Sequence, residues 1–165
     1  MEFIQNTINW IKGELLEASL IIAFGVITII AAFLFWKIGT TPNAKALFLP
    51  LLVSGLIYTT IGMGMRITNP KRMVEFLQKY RENRVAFIQA EKKRVDDFQY
   101  GYTISKIVAS IFLPATLLIF WFTKNPTLQG IGIGLTYFAL AGLVVDYFSQ
   151  ERADLYYAAI LKALS

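Results

Sequence analysis

Four stretches without a single charge decide what this chain can become. Nineteen residues separate Glu17 from Lys37, twenty separate Lys45 from Arg66, seventeen separate Lys106 from Lys124, and twenty-one separate Lys124 from Asp146. A hydrocarbon core of about 30 Å is crossed by roughly 17–25 helical residues, so each stretch is long enough for one span. Runs such as Ala18–Phe24 and Leu113–Phe122 are continuously apolar. A membrane β-barrel instead alternates polar and apolar residues over segments of about ten. The expected fold is therefore all-α: a polytopic four-transmembrane-helix bundle with spans 18–36, 46–65, 107–123 and 128–146. The third span is the shortest, and Lys106 suits its edge because its methylenes lie in the apolar layer while the ammonium reaches the headgroups.

The segment before the first span carries Glu2, Glu14 and Glu17 against Lys12, the wrong charge for the leading part of a cleaved signal. Phe3, Ile4, Ile8, Ile11 and Leu15 recur at helical spacing, which predicts an interfacial helix over 1–17 with Trp10 as its anchor. Of the 16 basic residues, only Lys37, Lys45 and Lys124 fall in the two links on one side; the other thirteen share a side with both termini and the central connection. Basic residues concentrate on the cytoplasmic face. This predicts cytoplasmic termini in a membrane of the bacterial inner (plasma) type. All 11 acidic residues fall on that side too, so the chain presents no strong basic field there.

The links after the first and third spans are short, with Thr41-Pro42-Asn43 in one and Asn125-Pro126 starting the fourth helix in the other. The central connection is the one long polar segment. Asn69-Pro70 has the form of a helix cap and first position. From there Met73, Leu77, Tyr80, Phe87, Val95, Phe98 and Tyr102 follow a 3.5-residue pattern, interrupted in register by Arg84 and Glu91. One straight helix of about 30 residues would run about 45 Å. A cytoplasmic amphipathic hairpin over 67–103, bending at Arg81-Glu82-Asn83-Arg84, keeps the second and third spans together. Residues 150–164 continue as a carboxyl-terminal cytoplasmic helix beside it.

With no cysteine and no histidine, disulfides, thiolate nucleophiles, Ser-His-Asp catalysis and the usual zinc and haem ligation are excluded. No charge sits mid-span, which argues against a pump with a midplane carboxylate. No catalytic residue, metal site or cofactor is expected. Asp96-Asp97 and Glu151 with Asp154 lack the spacing of a metal site. Lys92-Lys93-Arg94 is followed at once by Asp96-Asp97, so a neutralised helix face is expected rather than a nucleic-acid patch.

Three sets of residues remain as candidates. Glu17, Arg66, Lys106 and Asp146 fall on one inner boundary and are expected to form a charge cluster, read as structural. Gly55 and Gly62 in the second span and Gly130 and Gly134 in the fourth are expected to pack those two helices closely. Met73, Phe76, Leu77, Phe87, Ile88, Val95 and Phe98 give the hairpin more apolar surface than two short arms need, which predicts a contact surface for another membrane protein or a second copy. Arg66, Lys71 and Arg72 follow the second span without an acidic neighbour before Glu75, which suits anionic lipid headgroups.

The function these features favour is noncatalytic: binding a partner membrane protein, as an assembly subunit or as an immunity protein against a toxin acting at the inner membrane. The alternative is an oligomeric ion or small-solute channel lined by Thr28, Ser54, Thr59, Thr60, Ser110, Thr116 and Thr136. A membrane-embedded lipid enzyme ranks below both.

Overall fold

The computed structural model describes residues 2–165. Their helices are α1 (Glu2–Ile38), the short α2 (Pro42–Ala46), α3 (Phe48–Glu82), α4 (Arg84–Phe122) and α5 (Pro126–Leu164), with no strand among the described residues. The four long helices are long and apolar enough to cross a membrane. Containing 35 to 39 residues each, they run about 52–58 Å at about 1.5 Å per residue. That exceeds a hydrocarbon core of about 30 Å. Each helix therefore has an apolar part and a projecting part, with no break between them.

Side-chain caps at Thr41, Asn83 and Asn125 start α2, α4 and α5, α3 follows α2 through Leu47 without one, and no described residue has a positive φ. Asn83 is extended, at φ −152° and ψ 99°, and its side-chain oxygen accepts from the Ala86 amide at 3.0 Å. The chain thus reverses inside the expected Arg81–Arg84 bend. Thr41 caps α2 through the Ala44 amide, and Asn125 caps α5 with Pro126 in its first turn. The short links bring Asn43 within 3.0 Å of Gln129 at one end of the molecule. At the other end, Phe3, Tyr80, Phe87 and Tyr156 gather the start of α1, the α3–α4 turn and the last third of α5.

Three boundaries differ from expectation. The segment expected as a separate interfacial helix over 1–17 is the first part of α1, apart from Met1, which lies outside the described residues. Phe3, Thr7, Trp10, Glu17, Ala18, Ile21, Gly25, Thr28 and Ala32 are all buried, so one face at spacings of three and four is covered almost end to end. Asn69-Pro70 does not open a helix: Pro70 lies inside α3. Asn69 is fully buried there and accepts from Arg72 at 3.2 Å. The carboxyl-terminal segment is likewise the end of α5 rather than a separate helix.

The extensive pairings are α1 with α3 and α4 with α5, and α5 also lies against α1. The glycines implement this differently from expectation. Gly55 and Gly62 face α1, not α5: a Cβ on Gly55 would stand 2.8 Å from the Gly25 carbonyl oxygen, and one on Gly62 2.8 Å from that of Ala18. The two backbones touch, as small residues permit in lipid. Gly130 faces the Ala46 carbonyl, where a Cβ would stand 2.7 Å away, and Gly134 faces the Pro50 ring. The glycines of the fourth span thus meet α2 and the first turn of α3, and further along the same span Phe138 meets Tyr58 of α3. Pro50 itself is harmless in that turn, where an amide has no partner within the helix.

Candidate functional site

The projecting end has a single core. Phe3, Trp10, Ile11, Phe76, Phe87, Ile88, Val95, Tyr156 and Ile160 are buried together, with Met73, Tyr80 and Phe98 packed against them. The expected partner surface is corrected here. Phe76, Phe87, Ile88 and Val95 are inside the chain's own core, while Met73, Leu77 and Phe98 are half-buried. The surplus apolar area is covered by the start of α1 and the end of α5, which lie among the hairpin arms. Trp10 is no membrane anchor: it is buried, with its ring 5.3 Å from Tyr156 and 6.2 Å from Phe98.

A polar group lies within this core. Glu91 is buried and accepts from Arg94 Nε at 2.8 Å and from the other terminal nitrogen at 2.7 Å, a bidentate pair. It also accepts from the Tyr156 hydroxyl at 2.9 Å, and that oxygen lies 3.0 Å from the Thr7 hydroxyl. The Arg94 guanidinium sits 4.5 Å over the Trp10 ring and 5.4 Å from the Phe76 and Phe98 rings, which adds cation–π attraction to the ion pair. Burial, reinforced by Glu91, raises the Tyr156 phenol above its usual range, so it remains a donor. The sequence held a signal for this hub: Glu91 falls in the register of buried positions, and a charge there requires partners. Nothing local pointed to Tyr156 or Thr7, which lie 65 residues after and 84 residues before it in the chain.

The expected charge cluster also rearranges. Arg152, beyond the fourth span, reaches back across α1 to pair with Glu17, and Glu14 stands 3.7 Å from the same guanidinium nitrogen. Gly13 makes room for it: a Cβ there would lie 2.9 Å from the Arg152 Cδ. Burial pushes the Glu14 carboxyl above its usual range, opposed by Arg152, Arg72 and Arg94. Arg66 instead donates to Ser19 at 3.5 Å, and Lys106 to Gln150 at 3.3 Å. Asp146 is bonded to neither of them, and its Oδ2 is buried without a hydrogen-bond partner. The four residues fall near one level but face different neighbours, because the helices between them point their side chains apart. Of the basic set after the second span, Lys71 is exposed while Arg72 turns to Asn69. The exposed helix pairs Glu75–Lys79 at 2.6 Å and Lys92–Asp96 at 3.6 Å form at the expected spacing.

Below the Arg152–Glu17 pair, α1 and α5 separate around a slot of about 630 Å³. Its walls are Leu16, Leu20, Ile21 and Phe24 on α1 and Tyr137, Leu140, Ala141, Val144, Val145 and Phe148 on α5. At its deep end it is lined by Phe24 and Tyr137, whose rings stack, and the Tyr137 hydroxyl meets that of Thr28 at 2.6 Å. Elsewhere in the apolar half, two further hydroxyls join neighbouring helices. The Tyr58 hydroxyl donates to the Phe138 carbonyl at 2.7 Å, and Thr116 donates to that of Gly132 at 2.7 Å.

On the opposite flank, α4 is the least covered helix. Only 11% of its most apolar stretch is buried, against 28% for the stretches in α1 and α3 and 22% in α5. Ile107, Ile111, Leu117, Leu118 and Trp121 are exposed along it, as are Gly101, Ser110 and Pro114. No family model, curated protein or solved structure matches this chain.

Proposed function

We propose that this is a noncatalytic integral membrane protein that binds a partner membrane protein, as an assembly subunit or immunity protein, and that α4 is its contact face. The carrying observation is the coverage of α4, half that of α5 and less than half that of α1 and α3. Lipid also covers an apolar helix, but this one exposes Ser110 and Pro114 within its span, and Gly101 lies open just before it. Small residues let a second helix approach closely where packing, not water, drives association. The binding reading is favoured over a channel because Thr28, Thr59 and Thr116, three of the candidate pore-lining hydroxyls, are engaged inside the protein. Both termini and the α3–α4 turn belong in the cytoplasm of the inner-membrane type on the thirteen-to-three division of basic residues.

The cysteine-free chain makes the test direct. A cysteine at Leu117 on α4, armed with a maleimide-benzophenone and illuminated in native membranes, should give an adduct larger than the protein itself. The same label at the equally open Ile27 on α1 should not. In intact cells an impermeant maleimide should reach Asn43→Cys and spare Asn83→Cys. No adduct from Leu117→Cys, together with ion flux through liposomes holding the purified protein, would replace the partner reading with the channel.

A further inference from the structure

We propose that the slot between α1 and α5 holds one phospholipid of the surrounding bilayer, of the zwitterionic class whose headgroup carries an amine. The inference shares the membrane placement of the preceding section and does not depend on α4 as a contact face.

Depth is the first argument. From Tyr137 to Phe148 the apolar wall of the slot follows twelve residues of α5, about 16 Å at a rise of about 1.5 Å per residue. One leaflet of a hydrocarbon core of about 30 Å is about 15 Å deep. The charged mouth of the slot is at Glu17, where the first charge-free span starts, and Arg152, and its floor is lined by Phe24 and by Tyr137, whose hydroxyl meets that of Thr28. An acyl chain entering from the headgroup level therefore reaches the floor when it reaches the middle of the bilayer. The volume of about 630 Å³ lies within the range of about 300–1,000 Å³ usual for small-molecule sites.

Charge is the second argument. The slot has two charged lining residues, Glu17 and Arg152, one of each sign, both at its open end. A purely anionic head meets the Glu17 carboxylate, with Glu14 behind it. A purely cationic head meets the guanidinium. A head with a phosphate beside an ammonium presents both signs to matching partners, the phosphate to Arg152 and the ammonium to Glu17. The remaining walls are apolar, and Leu20, Val144 and Phe148 are more than half exposed, leaving the slot open sideways for entry from the bilayer.

The full chain, reconstituted in vesicles of equal phosphatidylethanolamine and phosphatidylglycerol, is extracted in mild detergent and weighed intact by native mass spectrometry. One phosphatidylethanolamine per chain should survive extraction, favoured about tenfold over phosphatidylglycerol. Val144→Trp and Leu140→Trp, both at exposed wall positions, should each lower retention about tenfold with helix content and monodispersity unchanged. Leu117→Trp on α4 should not alter it. Arg152→Gln should retain lipid but lose the headgroup preference. Equal retention by wild type and both slot variants overturns the site. Equal retention of the two lipids by wild type overturns the headgroup assignment. Because α4 is untouched in the slot variants, their crosslinking from Leu117→Cys reads the partner proposal separately.

Discussion

The two halves of the molecule are held together by different means. At the projecting end, the first part of α1 is enclosed by α3, α4 and α5. Ile11, Val95 and Ile160 have no exposed surface there, and Tyr80, Tyr156 and Phe76 stack or meet edge-on around Phe3 and Phe87. In the apolar half α4 lies against α5 alone, a slot opens between α1 and α5, and most large side chains face outward. Water drives apolar surface together wherever the chain is in water. In the membrane placement proposed above, lipid provides no such force, and helices in it associate through close backbone approach and hydroxyl pairs. The same four helices are therefore closely packed at one end and loosely joined at the other.

The sharpest way to break this contrast is to remove parts of the projecting core. Trp10→Ala deletes a buried ring that contacts Tyr156, Phe98 and Arg94, and should cost about 3–5 kcal/mol in detergent-titrated unfolding followed by circular dichroism. Glu91→Ala leaves Arg94 and the Tyr156 hydroxyl without their shared acceptor and should cost a similar amount, since removing one partner of a buried pair costs about 3–5 kcal/mol. If either variant unfolds as wild type does, the end is not the tighter half.

Gly55→Val tests the apolar half. The added side chain would meet the Gly25 carbonyl and Ile29, and the expected loss is about 1–3 kcal/mol. It should be accompanied by a larger α1–α3 separation, read as distances between spin labels placed on the two helices. A neutral result would mean that lipid, rather than backbone contact, sets that spacing.

The smallest effect concerns the seam between the halves. Burial holds the Glu14 carboxyl above its ordinary value of 4.5. A carboxyl raised in the native state binds its proton more tightly folded than unfolded. Its contribution to stability is thus present below the ordinary value and lost as pH rises through the raised one. Unfolding followed across that window should show stability declining as pH rises, and Glu14→Gln should flatten the decline. A profile unchanged by the substitution would place the titrating group elsewhere.

Much of the helical plan was legible because it rests on local rules. Charge-free runs gave the four apolar stretches, Arg81–Arg84 gave the bend, Asn125-Pro126 gave a helix start, and the Glu75–Lys79 pair followed from i, i+4 spacing. What misled was also local. Asn69-Pro70 has the form of a helix start, yet the helix runs through Pro70, where packing that buries Asn69 outweighs one missing amide. The shift from polar to apolar near Glu17 looks like a boundary between helices, but the backbone bonds of a helix do not require its surroundings to stay the same. The aromatic hairpin read as surplus surface because nothing local announces that segments at the two chain ends return to cover it.

The sequence by itself determined that the chain is helical and where it is apolar, since hydropathy and hydrogen-bond satisfaction act over a few turns. Only the tertiary structure decided which helix meets which: Gly55 against Gly25 rather than the fourth span, Arg152 rather than Arg66 or Lys106 on Glu17, and Tyr156 with Thr7 around Glu91. These contacts join residues up to 149 positions apart. The periodicity of a helix fixes which side chains share a face, whereas the neighbour that face meets depends on the packing of all four helices at once.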